Sequence, residues 1–356
     1  MKKGKKLLAL LVGVIMIATL AIGLVACGGD AEKGMIHVGI VNLPSSESGY
    51  RAANVRDLDS IFNEANGYKV SKFNSLDNAA QITAFDGFVD AKVDYILLSA
   101  NNTSGWGPSM TKAKNANIPV ILFDRMIDGT GFYAAVVSDM VAQGDMAVEW
   151  LLSQFGAGKP SGDVDINVLH IQGAPDSAAQ LGRSGALDAA ETAGQLNIVK
   201  QQASSPDWDE NGAKQITKAA LDDYATKPFN VVYAENDGMA RGAMAAIDEY
   251  NATAATKLTY GFDKTTGKNR DIIIMGFDCN EFAMKNVLDG KWNYEGQCSP
   301  FQAIRLHLII QALRIGSGDL ILEAFGADSK GIIINEETFF EAKTITQADI
   351  DKYNIG

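Results

Sequence analysis

Cysteine and histidine are scarce in this chain. Its 356 residues include 3 of each. The histidines, His37, His170 and His307, are scattered and lie mostly within apolar runs. That placement suits core packing better than metal ligation or proton transfer. No Gly-x-Ser-x-Gly elbow, P-loop or His-Glu-x-x-His occurs, so the common signatures of serine hydrolases, nucleotide hydrolases and zinc proteases are missing. No cofactor and no metal is expected. Positive charge is also in short supply, with 31 Lys+Arg against 43 Asp+Glu and a formal net charge of −12. So acidic a surface repels nucleic acid and anionic lipid headgroups, and it weakly favours a neutral or cationic ligand. Beyond Ala26 no apolar run is long enough to span a bilayer. The stretch from Ile315 to Phe325, for example, is broken by Gly316, Gly318, Asp319 and Glu323.

The first residues, in contrast, carry a strong signal. Lys2, Lys3, Lys5 and Lys6 precede an uncharged apolar run from Leu7 to Ala26, which ends in Leu24-Val25-Ala26-Cys27. A basic start, an apolar run and small residues at the cut describe an export signal. A cysteine directly after the cut resembles the lipobox of bacterial lipoproteins, in which Cys27 would take a diacylglycerol. A plain transmembrane anchor is the alternative. Both place the rest of the chain outside the cytoplasm, tethered to a membrane. The chain beyond the cut is too long for one ordinary domain and suits two.

From Ile36 onward, short β-branched runs alternate with helix-like stretches. Ile36 to Val41, Tyr95 to Leu98 and Pro119 to Phe123 read as strands, with helices over about Tyr50 to Asn66 and Pro108 to Asn117. A second set has strands at Ile166 to Ile171, Asn230 to Ala234 and Asp271 to Phe277, and helices at Arg183 to Ala193 and Gly238 to Tyr250. Continuous apolar strands separated by helices predict parallel sheets covered on both faces. The expected fold is α/β, two doubly wound lobes with right-handed crossovers. In such sheets ligands bind beyond the carboxyl ends of the strands.

The residues at those ends are polar and mixed in charge. They include Glu47, Tyr50 and Arg51 after the first strand, and Asp124 and Arg125 after the third. In the second half they include Arg183, Asn236, Asp278 and Gln297. Each sugar hydroxyl both donates and accepts, so such a set suits a sugar. Arginine can grip adjacent oxygens, and charge-assisted bonds are about twice as strong as neutral ones. Tyr50, Trp106 and Trp208 are candidates to pack against a sugar's C–H faces. Ordinary roles remain open for each. Asp124-Arg125 could be a surface ion pair, Asp237 is read as a helix N-cap, Arg183 could cover a helix face, and Trp208 could sit in a turn.

Several motifs resemble the ribose-binding class of periplasmic sugar-binding proteins of ABC transporters, nearest its galactofuranose-binding branch. They are Ser46-Glu47-Ser48-Gly49-Tyr50-Arg51, Ile118 to Arg125, Arg183, Asn236 to Ala240, and Gly276-Phe277-Asp278. The resemblance runs from about Ile36 to Ala303. It implies a type I periplasmic binding protein fold whose lobes are joined by three hinge crossovers, near Ser138-Asp139, Gln297-Cys298 and Phe340 to Ala342. The implied division is a signal over 1–26, a tether over 27–34, a first lobe of 35–138 plus 298–340, and a second of 139–297 plus 341–356. It also implies ligand contacts from Glu47, Tyr50, Arg51, Asp124, Arg125, Arg183, Trp208, Asn236, Asp278 and Gln297. Cys279 and Cys298 directly follow two of these, and a disulfide there would staple two strand ends near the hinge. There are departures: Tyr50 stands where the branch usually has Trp, and Ala100 to Thr103 is a shortened loop without its usual proline. The polar segment 262–270 reads as a surface insertion.

The implied function is that of an extracytoplasmic lipoprotein, not an enzyme. It would be a monomer that closes on galactofuranose or another hexose or pentose and delivers it to an ABC transporter permease. Rivals are a sugar sensor facing a receptor kinase or chemoreceptor, and a glycan-processing enzyme with Glu47 and Asp278 as paired carboxylates. Against the enzyme, Arg51, Arg125 and Arg183 are expected to hold those acids ionised.

Overall fold

The computed structural model describes residues 34–155, 166–205 and 207–356. The export signal and Cys27 lie outside the described residues. Two six-stranded sheets organise the chain. The first contains β1 (Ile36–Asn42), β2 (Tyr68–Asn74), β3 (Tyr95–Leu98), β4 (Val120–Asp124), β5 (Ala134–Val137) and β13 (Ile332–Ile334). Its order is β13-β5-β4-β3-β1-β2, and every pairing is parallel. The second contains β6 (Asn167–Gln172), β7 (Asn197–Ala203), β8 (Val231–Ala234), β11 (Ile273–Asp278), β12 (Tyr294–Gln297) and β14 (Phe339–Glu341). Its order is β14-β12-β11-β8-β6-β7, parallel apart from β12 with β14. The central strands β4, β5, β8 and β11 are buried throughout, as strands covered on both faces must be.

In the first lobe, helices α1 (Gly49–Ile61), α2 (Asn78–Asp90) and α3 (Gly107–Asn115) connect the strands. The second lobe uses α4 (Met140–Gln154), α5 (Ala178–Thr192), α6 (Glu210–Asp222), α7 (Asp237–Thr253) and α8 (Glu281–Leu288). Helices α9 (Ala303–Arg314) and α10 (Gly318–Ala324) return to the first lobe, where Ala303, Leu306, Ile309 and Ile310 join the core of β1, β3 and β4. Helix α11 (Gln347–Tyr353) ends on the second lobe, with Ile350 in its core.

The chain therefore passes between sheets three times: after Val137, between Gln297 and Ala303, and between Ile334 and Phe339. The third passage precedes the expected Phe340 to Ala342, because Phe339–Glu341 is already paired with β12. Segment 262–270 is a small antiparallel hairpin of β9 (Phe262–Asp263) and β10 (Lys268–Asn269). It docks on the second lobe, where Asn269 donates to Gln154 Oε1 at 3.2 Å and accepts from Asn293 Nδ2 at 2.9 Å.

Helix packing sets the position of Arg183. This residue lies in the second turn of α5, not at its start as the sequence suggests, because Ser177 caps the helix earlier by accepting from Gln180 N. Gly144 on α4 and Gly182 on α5 let the two backbones touch: a Cβ at Gly144 would fall 2.6 Å from the Gly182 carbonyl. That approach brings Gln143 of α4 within 3.0 Å of the Arg183 guanidinium.

Candidate functional site

The two sheets present the carboxyl ends of their strands to one another, and loops from both lobes meet there. In the first lobe Ser48 caps α1, its hydroxyl accepting from Arg51 N at 3.1 Å and donating to Glu47 Oε2 at 3.3 Å. The cap fixes the start of α1, so Glu47, Tyr50 and Arg51 all leave one turn beside the end of β4. There Asp124 has φ +66. This left-handed conformation, costly for a non-glycine residue, turns the chain off the sheet and presents both Asp124 and Arg125 to the cleft.

Arg51 is fully buried and every arm of its guanidinium is used. It donates to Glu47 at 3.3 Å, Asn42 at 3.0 Å, Asn54 at 3.1 Å and Asp124 at 2.5 Å. Asp124 also accepts from Tyr50 Oη at 2.7 Å and Ser99 Oγ at 3.0 Å. Burial opposes the charge of Asp124, but Arg51 and Arg125 together hold its carboxyl below the ordinary aspartate range. Arg125 binds Glu47 Oε1 at 3.0 Å, yet its Nε and Nη1 reach no acceptor with hydrogen-bond geometry among the described residues.

The second lobe repeats this arrangement. Arg183 donates to Asp278 Oδ1 at 3.2 Å, to Gln143 Oε1, and to the Glu235 carbonyl, while packing 4.6 Å from the Phe277 ring. Asp278 ends β11 with φ +112, as Asp124 ends β4. Its titration differs, however. Burial pushes the Asp278 carboxyl up to about 8 despite Arg183, and the charge of Asp237 adds to the rise. The expectation that Arg183 holds this acid ionised is thus corrected: desolvation outweighs the ion pair.

Between the lobes lies a cavity of about 20 Å³, room for about one water. Glu47, Ser48, Tyr50, Asp124 and Arg125 line it from one side. Arg183, Trp208, Asn236, Asp278, Met140, Ala179 and Cys298 line it from the other. Asn236 is the N-cap of α7, accepting from Met239 N at 2.8 Å and donating to the Trp208 carbonyl at 3.2 Å. Asp237, read from sequence as the cap, is instead the first helical residue. Trp208, at φ +61, faces Arg125 across the cleft with 5.6 Å from guanidinium carbon to ring centre.

Eight of the ten expected contact residues line the cavity. Arg51 does not; it stands behind Glu47 and Asp124 and holds them. Gln297 does not either, and Cys298 takes that place. Gln297 is the last residue of β12, and Cys298 opens the passage back to the first lobe, so the lining position lies one residue beyond the expected one. Trp106 packs in the first-lobe core against Phe85 and donates to the Asn102 carbonyl. Cys279 and Cys298 are free, buried thiols. The chain turns off β11 at Asp278 and Cys279, both at positive φ, and Cys298 Sγ lies 3.7 Å from Ser138 Oγ. Burial pushes the Cys298 thiol up to about 12, so it is no ready nucleophile. Sequence reasoning missed Ser48, Met140 and Ala179. The last two begin helices rather than end strands; only the Ser48 capping position had a readable signal.

The lobes are closed on one another. Tyr50 and Ala53 pack into the second lobe's core. Thr103 N donates to the Asp176 carbonyl at 3.0 Å across the cleft, which gives the shortened Ala100 to Thr103 loop a clasping role. A Cβ at Gly49 would collide with the side chain of Asn280 in the opposite lobe.

Comparison with known proteins agrees with this geometry. The family model described as "Periplasmic binding protein domain" matches residues 38–298. A fructose import binding protein of Bifidobacterium longum is 28% identical, over 84% of this chain and 86% of that protein. A galactofuranose-binding protein of Escherichia coli is 29% identical, over 72% of this chain and 76% of that protein. A crystal structure from Mycobacterium smegmatis in complex with β-D-fucofuranose superposes with TM-score 0.70 at 27% identity, covering 89% of this chain and 93% of its own.

The buried Arg51 network yields a direct test. Arg51→Met keeps the length but leaves Glu47 and Asp124 with Arg125 as their cation. The expected loss of folding free energy is about 3–5 kcal/mol, measured by denaturant unfolding. Arg51→Lys should not restore it, because an ammonium cannot reproduce a guanidinium's fork. A loss below about 1 kcal/mol for Arg51→Met would contradict the role given to Arg51.

Proposed function

The chain belongs to the periplasmic binding protein domain family, and from that premise we propose that it captures a monosaccharide by hinge closure and delivers it to an ABC transporter permease. One observation carries the reading. A cavity between two lobes is lined from both sides by arginine–aspartate pairs, and it holds buried donors, Arg125 Nη1 and Trp208 Nε1, with no hydrogen-bond partner among the described residues, while Arg125 Nε lies 3.4 Å from Asp124 Oδ2. Unpaired buried donors are costly, and a ligand rich in hydroxyls relieves that cost. Asp124 and Glu47 supply acceptors on one side. Asp278, as a carboxylic acid, supplies both a donor and an acceptor on the other. The Trp208 and Tyr50 rings offer flat apolar faces.

Room for about one water is too little for a sugar ring. Entry therefore requires the lobes to part or Arg125 and Trp208 to separate. Periplasmic binding proteins are the standard example of hinge closure. A ligand that touches both lobes favours the closed state by its differential contacts. The names of the relatives favour a five- or six-carbon sugar, with furanose forms prominent. The single ring of Tyr50 gives less stacking area than a tryptophan, and its hydroxyl is committed to Asp124. A lipid anchor on Cys27 completes the proposal and would hold the protein beside its permease.

Calorimetry with galactofuranose, galactopyranose, fructose, arabinose, ribose, glucose and a few nucleosides tests the reading. One sugar is expected to bind at micromolar or tighter affinity, with Arg183→Ala weakening it about 100-fold or more. Binding restricted to nucleosides, or turnover of a glycoside, would overturn it. Mass spectrometry of membrane-extracted protein is expected to find a diacylglyceryl group on Cys27; an unmodified thiol would exclude the anchor.

A further inference from the structure

Two carboxyls stand behind the cavity without lining it. Asp237, the first residue of α7, and Glu295, on β12, are both 0% exposed. Each uses one oxygen on the turn after Asp278. Glu295 Oε1 accepts from Cys279 N at 2.9 Å. Asp237 Oδ2 accepts from Asn280 N at 2.7 Å and Asn280 Nδ2 at 2.9 Å. The remaining oxygens, Glu295 Oε2 and Asp237 Oδ1, find no N–H or O–H donor in another residue. Both lie against Gly276, where a Cβ would fall 2.9 Å from the first and 3.2 Å from the second.

Two facing carboxylates out of water, with no cation between them, repel strongly, and a single shared proton removes the conflict. We propose that Asp237 and Glu295 share one buried proton, and that this acid pair is the positioning device that aims Asp278 at the ligand. The location of the proton comes from the surroundings. Asp237 sits at the N-terminus of α7, whose dipole favours a negative charge there. Glu295 has no such support, so it carries the proton and its Oε2–H donates to Asp237 Oδ1. The titration agrees: burial and the charge of Asp237 raise the Glu295 carboxyl well above its ordinary range, whereas Asp237 rises to about 6.

The purpose is visible in the backbone. Asp278 and Cys279 hold φ +112 and +70, a turn that needs outside restraint. The pair grips both amides that come after Asp278. The charged and titratable groups that face the pair are Arg183 of α5, Asp278 and Cys279 after β11, and Tyr294 of β12; Glu47 across the cleft, Cys298 and Glu337 before β14 act on those neighbours. Arg183 is the lone cation among these and is taken by Asp278.

The test has two stages, and the first needs no ligand. Infrared difference spectra of the full chain at neutral pH should show the carbonyl stretches of buried protonated carboxylic acids, of which one component disappears in Glu295→Gln while the Asp278 component stays. Because the folded-state Glu295 holds its proton above its unfolded range, that stability is complete below about pH 4.3 and declines as pH rises toward the folded value. Glu295→Gln, whose amide donates to Asp237 without a titratable proton, should flatten the fall of melting temperature between acid and alkaline pH. An unchanged infrared band, or identical pH profiles for the two proteins, would overturn the shared proton.

The second stage rests on the sugar-binding reading and uses galactofuranose, galactopyranose, fructose, arabinose, ribose and glucose as probes. Glu295→Ala should weaken the sugar that binds by about tenfold or more, whereas Glu295→Gln at neutral pH should restore affinity to within about threefold. Equal weakening in both variants would overturn the positioning role. If none of these sugars binds the wild-type chain, the functional reading fails, while the infrared band and the melting profiles still decide the pair.

Discussion

Keeping arginine charged where water cannot reach it is the constraint on which this cleft depends. Arg51 and Arg183 are 0% and 2% exposed. Each meets an aspartate at the end of a central strand, and each aspartate is held at positive φ. A buried guanidinium, whether its partner is ionised as Asp124 is or protonated as Asp278 is, repays its desolvation only when the remaining donors and acceptors around it are also satisfied. Asn42, Asn54, Ser99, Gln143 and the Glu235 carbonyl satisfy them. The outcome is a rigid wall in each lobe, with Arg125 between them as the cation that retains unused donors. A wall stiffened before the ligand arrives loses less entropy on binding.

The walls differ in protonation. Asp124 has two cations beside it and stays ionised, whereas Asp278 shares one cation and lies close to Asp237 and Glu295. One face of the cleft therefore offers a charged acceptor and the other a hydroxyl-like carboxylic acid. A neutral polyol, with donors and acceptors around one ring, matches both faces; a dicarboxylate or phosphate would meet acids on each side. The same carboxylic acid resembles the proton donor of a glycosidase, but the relatives are named as binding proteins, and the thiol in the cavity is no nucleophile.

The parts legible in the sequence were those that depend on one strong local signal. Buried parallel strands are continuous apolar runs, so β1, β3, β4, β8 and β11 were readable, and the polar residues just after them marked the cleft. Edge strands β2 and β7 are mostly half-buried or exposed and gave no comparable run. The errors share a cause: they are one-residue or one-layer displacements that only packing decides. Cys298 lines the cavity in place of Gln297 because the chain leaves β12 after Gln297 and turns toward the first lobe. Asn236 caps α7 in place of Asp237, which frees Asp237 to reach Asn280. Arg51 lies one layer behind the ligand wall, and Trp106 lies in the core, because nothing local separates a buried polar residue from a contacting one. Met140 and Ala179 reach the cleft from helix starts, where a strand-end rule does not look.

The central claim is that this chain is a clamp whose two lobes part and close on a ligand held by both. Small-angle X-ray scattering of the chain with and without its saturating sugar tests that claim most directly. The account requires a smaller radius of gyration in the sugar-bound state, and a conformation matching the closed arrangement of the two lobes. Saturation with sugar that leaves the scattering curve unchanged would contradict it.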